Sequence, residues 1–185
     1  MEKKVKKIVI IGPESTGKST LCTQLAAHYK SIWVKEYARC FLEKNGTNYT
    51  YENLYEIAQG QIIEEEIGQL SVISNTEFES HTPLFIDTNL YVIKVWSEFV
   101  FNKCDNRILS EIAKREYDLY LLCNTDLPWE EDDLREYPDL KIREKLLSYY
   151  KEELAEQKVT WSIISGNNEE RLQNAINIIK ENLHF

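Results

Sequence analysis

Long apolar runs are missing from this chain, and so is an excess of positive charge. No stretch approaches the roughly 20 apolar residues of a membrane helix. After the charged start Met1–Lys7, the run Ile8-Val-Ile-Ile11 stops at a glycine, too short for a signal peptide's core. A cytoplasmic protein is expected. Lysine and arginine total 22 against 31 aspartates and glutamates, a formal charge of −9. That balance argues against a general nucleic-acid or membrane-surface binder, because phosphate backbones demand a basic face. It leaves room for a local cationic pocket. Cys22, Cys40, Cys104 and Cys123 include no CxxC-type pair, so zinc is not expected. They read as small buried residues of a reduced, intracellular protein. There is no internal repeat, low-complexity tract or linker, and 185 residues fit one domain, 1–185.

What is present is an alternation of strand and helix signals. Short β-branched or apolar blocks at Val5–Ile11, Ser31–Lys35, Leu84–Asp87, Asp118–Cys123 and Thr160–Ser165 read as five buried strands. Helical spacing is seen from Leu21 to Tyr29, from Tyr51 to Leu70, from Thr88 to Lys103 and from Ile108 to Arg115. It returns around Leu140–Leu154 and from Leu172 to Leu183. Asn45–Tyr51 reads as a polar loop. Near-continuous apolar strands alternating with helices predict an α/β fold: a parallel five-stranded sheet with helices on both faces. The polar segment from Asp126, holding Pro128 and Pro138, interrupts the pattern and reads as a small lid over about 126–143.

The chemistry sits in Gly12-Pro-Glu-Ser-Thr-Gly17-Lys18-Ser19, which matches the P-loop pattern. Its glycines let the backbone curl so that N–H groups converge on phosphate oxygens, and the following helix aims its positive end at the same anion. Gly12, Glu14, Ser15, Thr16, Gly17, Lys18, Ser19 and Thr20 are therefore the expected ATP contacts. Lys18 supplies a charge to the β- and γ-phosphates, and the Ser19 hydroxyl is placed to ligate Mg²⁺. Asp87, at the end of the third strand, is the expected second metal-side group. It is followed by Thr88 rather than the Glu of ATP-driven motors, and no Asn-Lys-x-Asp guanine reader is present. That leaves the small kinases, which close a lid over two substrates.

Glu36 ends the second strand and points toward the crevice of an open α/β sheet, which makes it the candidate base for a substrate hydroxyl. Asp87 competes for that role. Arg135, the cation of the acidic lid, and Arg143, on the next helix, are the candidates for the moving phosphate. Each could instead pair with nearby carboxylates. Trp33, Tyr37, Tyr55, Trp96 and Trp129 are candidates for a stacking wall, with Arg39 beside Tyr37. For Trp96 the competing reading is plain core packing.

Taken together, the segments Gly12–Thr20, Glu36–Arg39, Ile57–Gln61, Phe85–Asn89, Lys94–Phe99, Leu119–Cys123, Asp126–Glu130 and Leu134–Pro138 resemble the ribosylnicotinamide kinase domain of NadR-type proteins. The resemblance runs in order over nearly the whole chain. It implies a small-molecule partner: transfer of the ATP γ-phosphate to the 5′-hydroxyl of nicotinamide riboside, giving nicotinamide mononucleotide for NAD salvage. A cationic pyridinium ring would suit an aromatic wall such as Trp96 or Tyr55. Family members also carry an adenylyltransferase domain and often a DNA-binding domain. No His-x-Gly-His-type signature occurs here, the histidines being His28, His81 and His184. The chain is expected neither to make NAD nor to bind an operator. Another nucleoside or nucleotide as acceptor, or a binding module without turnover, stays open, as does the oligomeric state.

Overall fold

The computed structural model describes residues 4–79 and 81–183. His184 and the first three residues of the charged start lie outside them. The strands are β1 (Lys7–Ile11), β2 (Ile32–Val34), β3 (Leu84–Asp87), β4 (Leu119–Cys123) and β5 (Trp161–Ile164). The helices are α1 (Lys18–His28), α2 (Tyr37–Asn45), α3 (Tyr51–Ser74), α4 (Leu90–Phe101), α5 (Asn106–Ile112), α6 (Leu140–Glu156) and α7 (Asn168–Asn182). All strand pairs are parallel, in the order β2-β3-β1-β4-β5. This is the α/β P-loop NTPase fold that the alternation predicts.

Side chains alternate across a strand, so β1 feeds two cores. Ile8 and Ile10 pack with Phe85, Leu119 and Leu121 against α1 and α7. Val9 and Ile11 face the other way, with Ile86, Tyr120 and Leu122, against α4 and α6. A third cluster joins α2, α3, α4 and α5 through Phe41, Ile57, Ile93 and Ile108. Covering both faces is what lets strands this apolar stay out of water.

The structure corrects several expectations. Helix α2 occupies a stretch in which no helix is predicted: Tyr37, Ala38, Phe41 and Leu42 form a short apolar stripe, of which only Phe41 is fully buried. Helix α3 runs four residues beyond Leu70, to Ser74. Of the cysteines only Cys22 and Cys123 are buried; Cys104 is half-buried and Cys40 is exposed. Trp33 packs onto the core beside α1 instead of forming a ligand wall. Among the described residues no helix is long and apolar enough to cross a membrane.

Candidate active site

Parallel strands end at one edge, so the loops that follow them meet there. The P-loop follows β1, Glu36 follows β2, Thr88 follows β3, and the segment 124–139, without helix or strand, follows β4.

The P-loop is shaped by backbone conformations that its sequence permits. Gly12 has φ 143° and Gly17 φ 76°, and a Cβ on Gly12 would lie 2.7 Å from the Cys123 carbonyl oxygen. Thr16 Oγ1 and Lys18 Nζ both donate to the Pro13 carbonyl, at 2.8 and 2.9 Å, closing the loop on itself. Gly17 is the N-cap of α1, and no side chain caps that helix. The N–H groups of its first turn are thus free to face an anion.

Ser19 Oγ donates to Asp87 Oδ2, joining α1 to the end of β3. Asp87 is only 1% exposed, and its Oδ1 has no hydrogen-bond partner among the described residues. Burial, and then the nearby Glu36 charge, push its carboxyl up to about 7. A hydroxyl beside a half-satisfied buried carboxylate fits Mg²⁺, which takes one or two protein oxygens and fills its octahedron with water and phosphate oxygens. No group of three or more His, Cys, Asp or Glu side chains forms a metal cluster among the described residues.

A cavity of about 390 Å³ extends from this loop to the helices beside β2 and β3. Gly12 through Thr20 line it, as do Leu54, Val92 and Trp96, with Glu36, Arg39 and Arg135. Trp96 donates through Nε1 to the Tyr49 hydroxyl at 2.7 Å, and that hydroxyl donates to Glu136 Oε1 at 3.1 Å. Tyr49 and Glu136 also border the cavity.

Three expected wall residues do not line it. The Tyr37 ring lies over Gly60, where a Cβ would come within 2.1 Å of it. The Tyr55 ring is stacked by the Arg107 guanidinium, 3.7 Å from its centroid. Trp129 lies near two guanidinium groups, Arg143 at 5.3 Å and Arg135 at 5.8 Å. In each case the ring is taken up by a neighbour within the protein.

The 124–139 segment is tied to both ends of the site. Glu14 points to this segment: its Oε2 accepts from the N–H groups of Glu136 and Tyr137, both at 3.0 Å. Burial pushes the Glu14 carboxyl up, and these two N–H groups oppose that. Ser15 Oγ accepts from Glu130 N–H at 2.9 Å and from Arg135 Nη1 at 3.4 Å. Arg39 is paired with Asp132 at 2.8 Å. Arg143 is 4% exposed and is not part of the cavity lining; its Nε and Nη1 have no partner among the described residues. Its guanidinium lies instead over the Trp129 ring, so this buried charge is set against an aromatic face and not against the cavity.

Arg171 and Gln61 had not been singled out in the sequence. Arg171, 1% exposed, donates to the Ile164 carbonyl at 3.0 Å and pairs with Asp126, anchoring the base of the 124–139 segment. Nothing in its sequence neighbourhood marks it. Gln61, also 1% exposed, does carry a signal: it is polar at an apolar-stripe position of α3.

A family model described as AAA domain matches residues 7–171. The chain belongs to that family. Among solved structures it is similar to a NadR protein in complex with NR, with TM-score 0.78 and 20% identity over 98% of this chain and 51% of that one. A NadR protein in complex with NAD and AMP-PNP matches with TM-score 0.74 and 19% identity over 98% and 50%. Thymidylate kinase from Ehrlichia chaffeensis matches with TM-score 0.70 and 10% identity over 95% of this chain and 98% of that one. The chain spans about half the length of the NadR chains. At these identities the likeness is one of fold. This AAA-domain chain is a P-loop domain, and the P-loop implies nucleotide binding.

Proposed function

We propose that this chain is an ATP-dependent nicotinamide riboside kinase. The observation that carries the reading is a cavity lined both by a phosphate-cradling loop and by aromatic and aliphatic side chains, with the Glu36 carboxylate on the same lining. ATP would lie with its phosphates on the N–H groups of Gly12–Thr20 and the Lys18 ammonium. The acceptor would lie against Trp96 and Leu54, its 5′-hydroxyl toward Glu36. The hydroxyl oxygen bonds to the γ-phosphorus as the bond from that phosphorus to the β–γ bridging oxygen breaks. The hydroxyl proton passes to Glu36, and ADP leaves. Ser19 and Asp87 would hold Mg²⁺, which when bound supplies positive charge against the phosphates. Residues 126–143 act as a lid that presents Arg135 and excludes water. The NR in the similar NadR structure motivates the choice of acceptor.

A nucleoside monophosphate acceptor is the second reading. It is favoured by the match along almost the full length of a thymidylate kinase and by Arg39, a cation on the cavity lining. One experiment separates the two: ATP and Mg²⁺ with a panel of nicotinamide riboside, common nucleosides and their monophosphates, with products resolved by chromatography. Nicotinamide mononucleotide as the dominant product supports the first reading. A nucleoside diphosphate supports the second. Nucleotide binding with no product from any acceptor removes both.

A further inference from the structure

Gln61 joins the two segments that leave the neighbouring strands β2 and β3, just past the last residues that pair, Val34 and Ile86. Its Oε1 accepts from Tyr37 N–H at 2.8 Å, one residue after Glu36. Its Nε2 donates to the Thr88 carbonyl at 3.2 Å, one residue after Asp87. The partners define the amide orientation, since an N–H can only donate and a carbonyl can only accept. The amide is therefore engaged on both ends and has little left to offer a substrate, although it borders the cavity.

Two further features show that the fold is built around this bridge. Gly60 removes a side chain at the one place where the Tyr37 ring crosses α3, with 2.1 Å between that ring and where a Cβ would be. A glycine inside a helix weakens it, so the close approach of α2 is what the position gains. At the other end, Thr88 has φ 64°. For a β-branched residue this is a strained conformation that persists only where its surroundings hold it. The Thr88 N–H donates to the Ile10 carbonyl at 3.0 Å, and its carbonyl receives Gln61, so both peptide groups flanking the twist are fixed.

We propose that Gln61 is a positioning residue that sets the placement of Glu36 relative to Asp87. The chemical significance rests on the kinase reading above; the geometric claim does not. Glu36 lines the cavity at the start of α2, Asp87 ends β3 against Ser19 of the P-loop, and Gln61 bridges the residues that follow each, beyond the point where β2 and β3 stop pairing. Without it, α2 is free to shift on α3, and the Thr88 peptide loses a constraint that holds its twist. A small displacement of a reacting group is enough to lower a rate by about 10²-fold.

The test uses Gln61→Leu, which keeps most of the volume and loses both bonds, and Gln61→Glu, which keeps an acceptor for Tyr37 N–H and loses the donor to Thr88. Each is measured for the stoichiometry and affinity of Mg-ATP binding by calorimetry, for kcat and both KM values, and for crystal structure. The expected result for Gln61→Leu is one Mg-ATP per chain at near wild-type affinity, a kcat about 10- to 100-fold lower, and a shifted Glu36. Gln61→Glu is expected to keep Glu36 in place and to move the Thr88 peptide. A kcat within twofold of wild type for Gln61→Leu overturns the proposal, as does a loss that only matches the fraction of chains no longer binding Mg-ATP. A Gln61→Leu structure with Glu36 and Asp87 unmoved overturns it whatever the acceptor. If the wild type phosphorylates no acceptor, the kinase reading fails, and the structures still decide the role of Gln61.

Discussion

Removing the Glu14 carboxylate tests whether the P-loop holds residues 126–143, the proposed lid. In the structure one carboxylate oxygen receives the N–H groups of Glu136 and Tyr137, each at 3.0 Å. Hydrogen bonds to a charged group are worth about 1.5–3 kcal/mol each when well shielded. These lie near the surface, and burial already works against the charge on Glu14, so about 1 kcal/mol each is the better figure. Glu14→Ala should then cost the closed lid about 2 kcal/mol, roughly a 30-fold change in the ratio of closed to open. Ser15 still holds Glu130 and Arg135, so the lid loosens without being released. If transfer needs Arg135 in place, kcat falls by up to about 30-fold. ATP affinity should not fall, because the lost negative charge lies near Lys18 and opposes phosphate binding. The assay pairs steady-state kinetics with hydrogen exchange of the Glu136 and Tyr137 amides, which should quicken in the variant. Unchanged exchange together with a kcat within twofold of wild type refutes the latch. A weaker Kd for ATP with kcat intact returns Glu14 to a direct nucleotide contact.

The remaining predictions concern three other carboxylates. Glu36→Gln should lower kcat by about 10²–10⁴-fold with Mg-ATP binding little altered, whereas Asp87→Asn should raise the Mg²⁺ concentration for half-maximal rate; a magnesium titration of both variants that gives the opposite pattern reverses the roles. Glu65 is buried on α3 and pushed up to about 7, chiefly by burial, against the pull of the Tyr117 hydroxyl, Lys7 and Arg115. Its ordinary value is 4.5, so the folded state keeps a proton that the unfolded chain gives up, and stability falls as pH rises from about 4.5 to 7. Glu65→Gln abolishes that component: urea unfolding at pH 5 and pH 8 should show the variant gaining on wild type by at most about 3 kcal/mol, and parallel profiles would dispose of the argument.

The strands were legible because each is an apolar block cut off sharply, by Gly12 after β1 and by a carboxylate at the end of β3. The P-loop was legible because its geometry needs glycine at φ values that other residues resist. The α2 helix was not predicted, although Tyr37, Ala38, Phe41 and Leu42 fall at helical spacing; the helix is only nine residues long, and its place is set by α3 through Gly60, a tertiary contact. The aromatics were harder to place. Tyr37, Tyr55 and Trp129 have the right chemistry for a stacking wall, but Tyr37 packs over Gly60, Tyr55 under Arg107 and Trp129 beside Arg135 and Arg143, contacts that a one-dimensional reading does not show. Gln61 and Glu65 were visible in principle. They follow Leu54, Ile57 and Ala58 on the apolar stripe of α3, and a polar side chain on a buried stripe must find partners inside the protein.

The family model is described as AAA domain, yet the residue that a motor ATPase would use to activate water, the carboxylate after the Walker-B Asp, is Thr88 in this chain. Thr88 is 4% exposed and twisted to φ 64°, with its peptide groups bound on both sides, so a longer acidic side chain there would have to be accommodated in a packed and strained position. The other carboxylate of the site comes from the far side of β3, from Glu36 at the mouth of β2, and its charge is felt at Asp87. The nucleotide half of the site is thus common to P-loop proteins, while on the proposed reading the proton acceptor, Glu36, belongs to the acceptor side, lining the same cavity as Trp96 and Leu54. A base on that side serves a hydroxyl delivered by an acceptor better than it serves water beside the γ-phosphate. On the proposed reading this is why the chain should transfer phosphate instead of hydrolysing ATP, and Glu36→Gln should therefore depress acceptor phosphorylation far more than any residual ATP hydrolysis measured without acceptor. Equal loss of both activities would place Glu36 on the water side and remove the distinction.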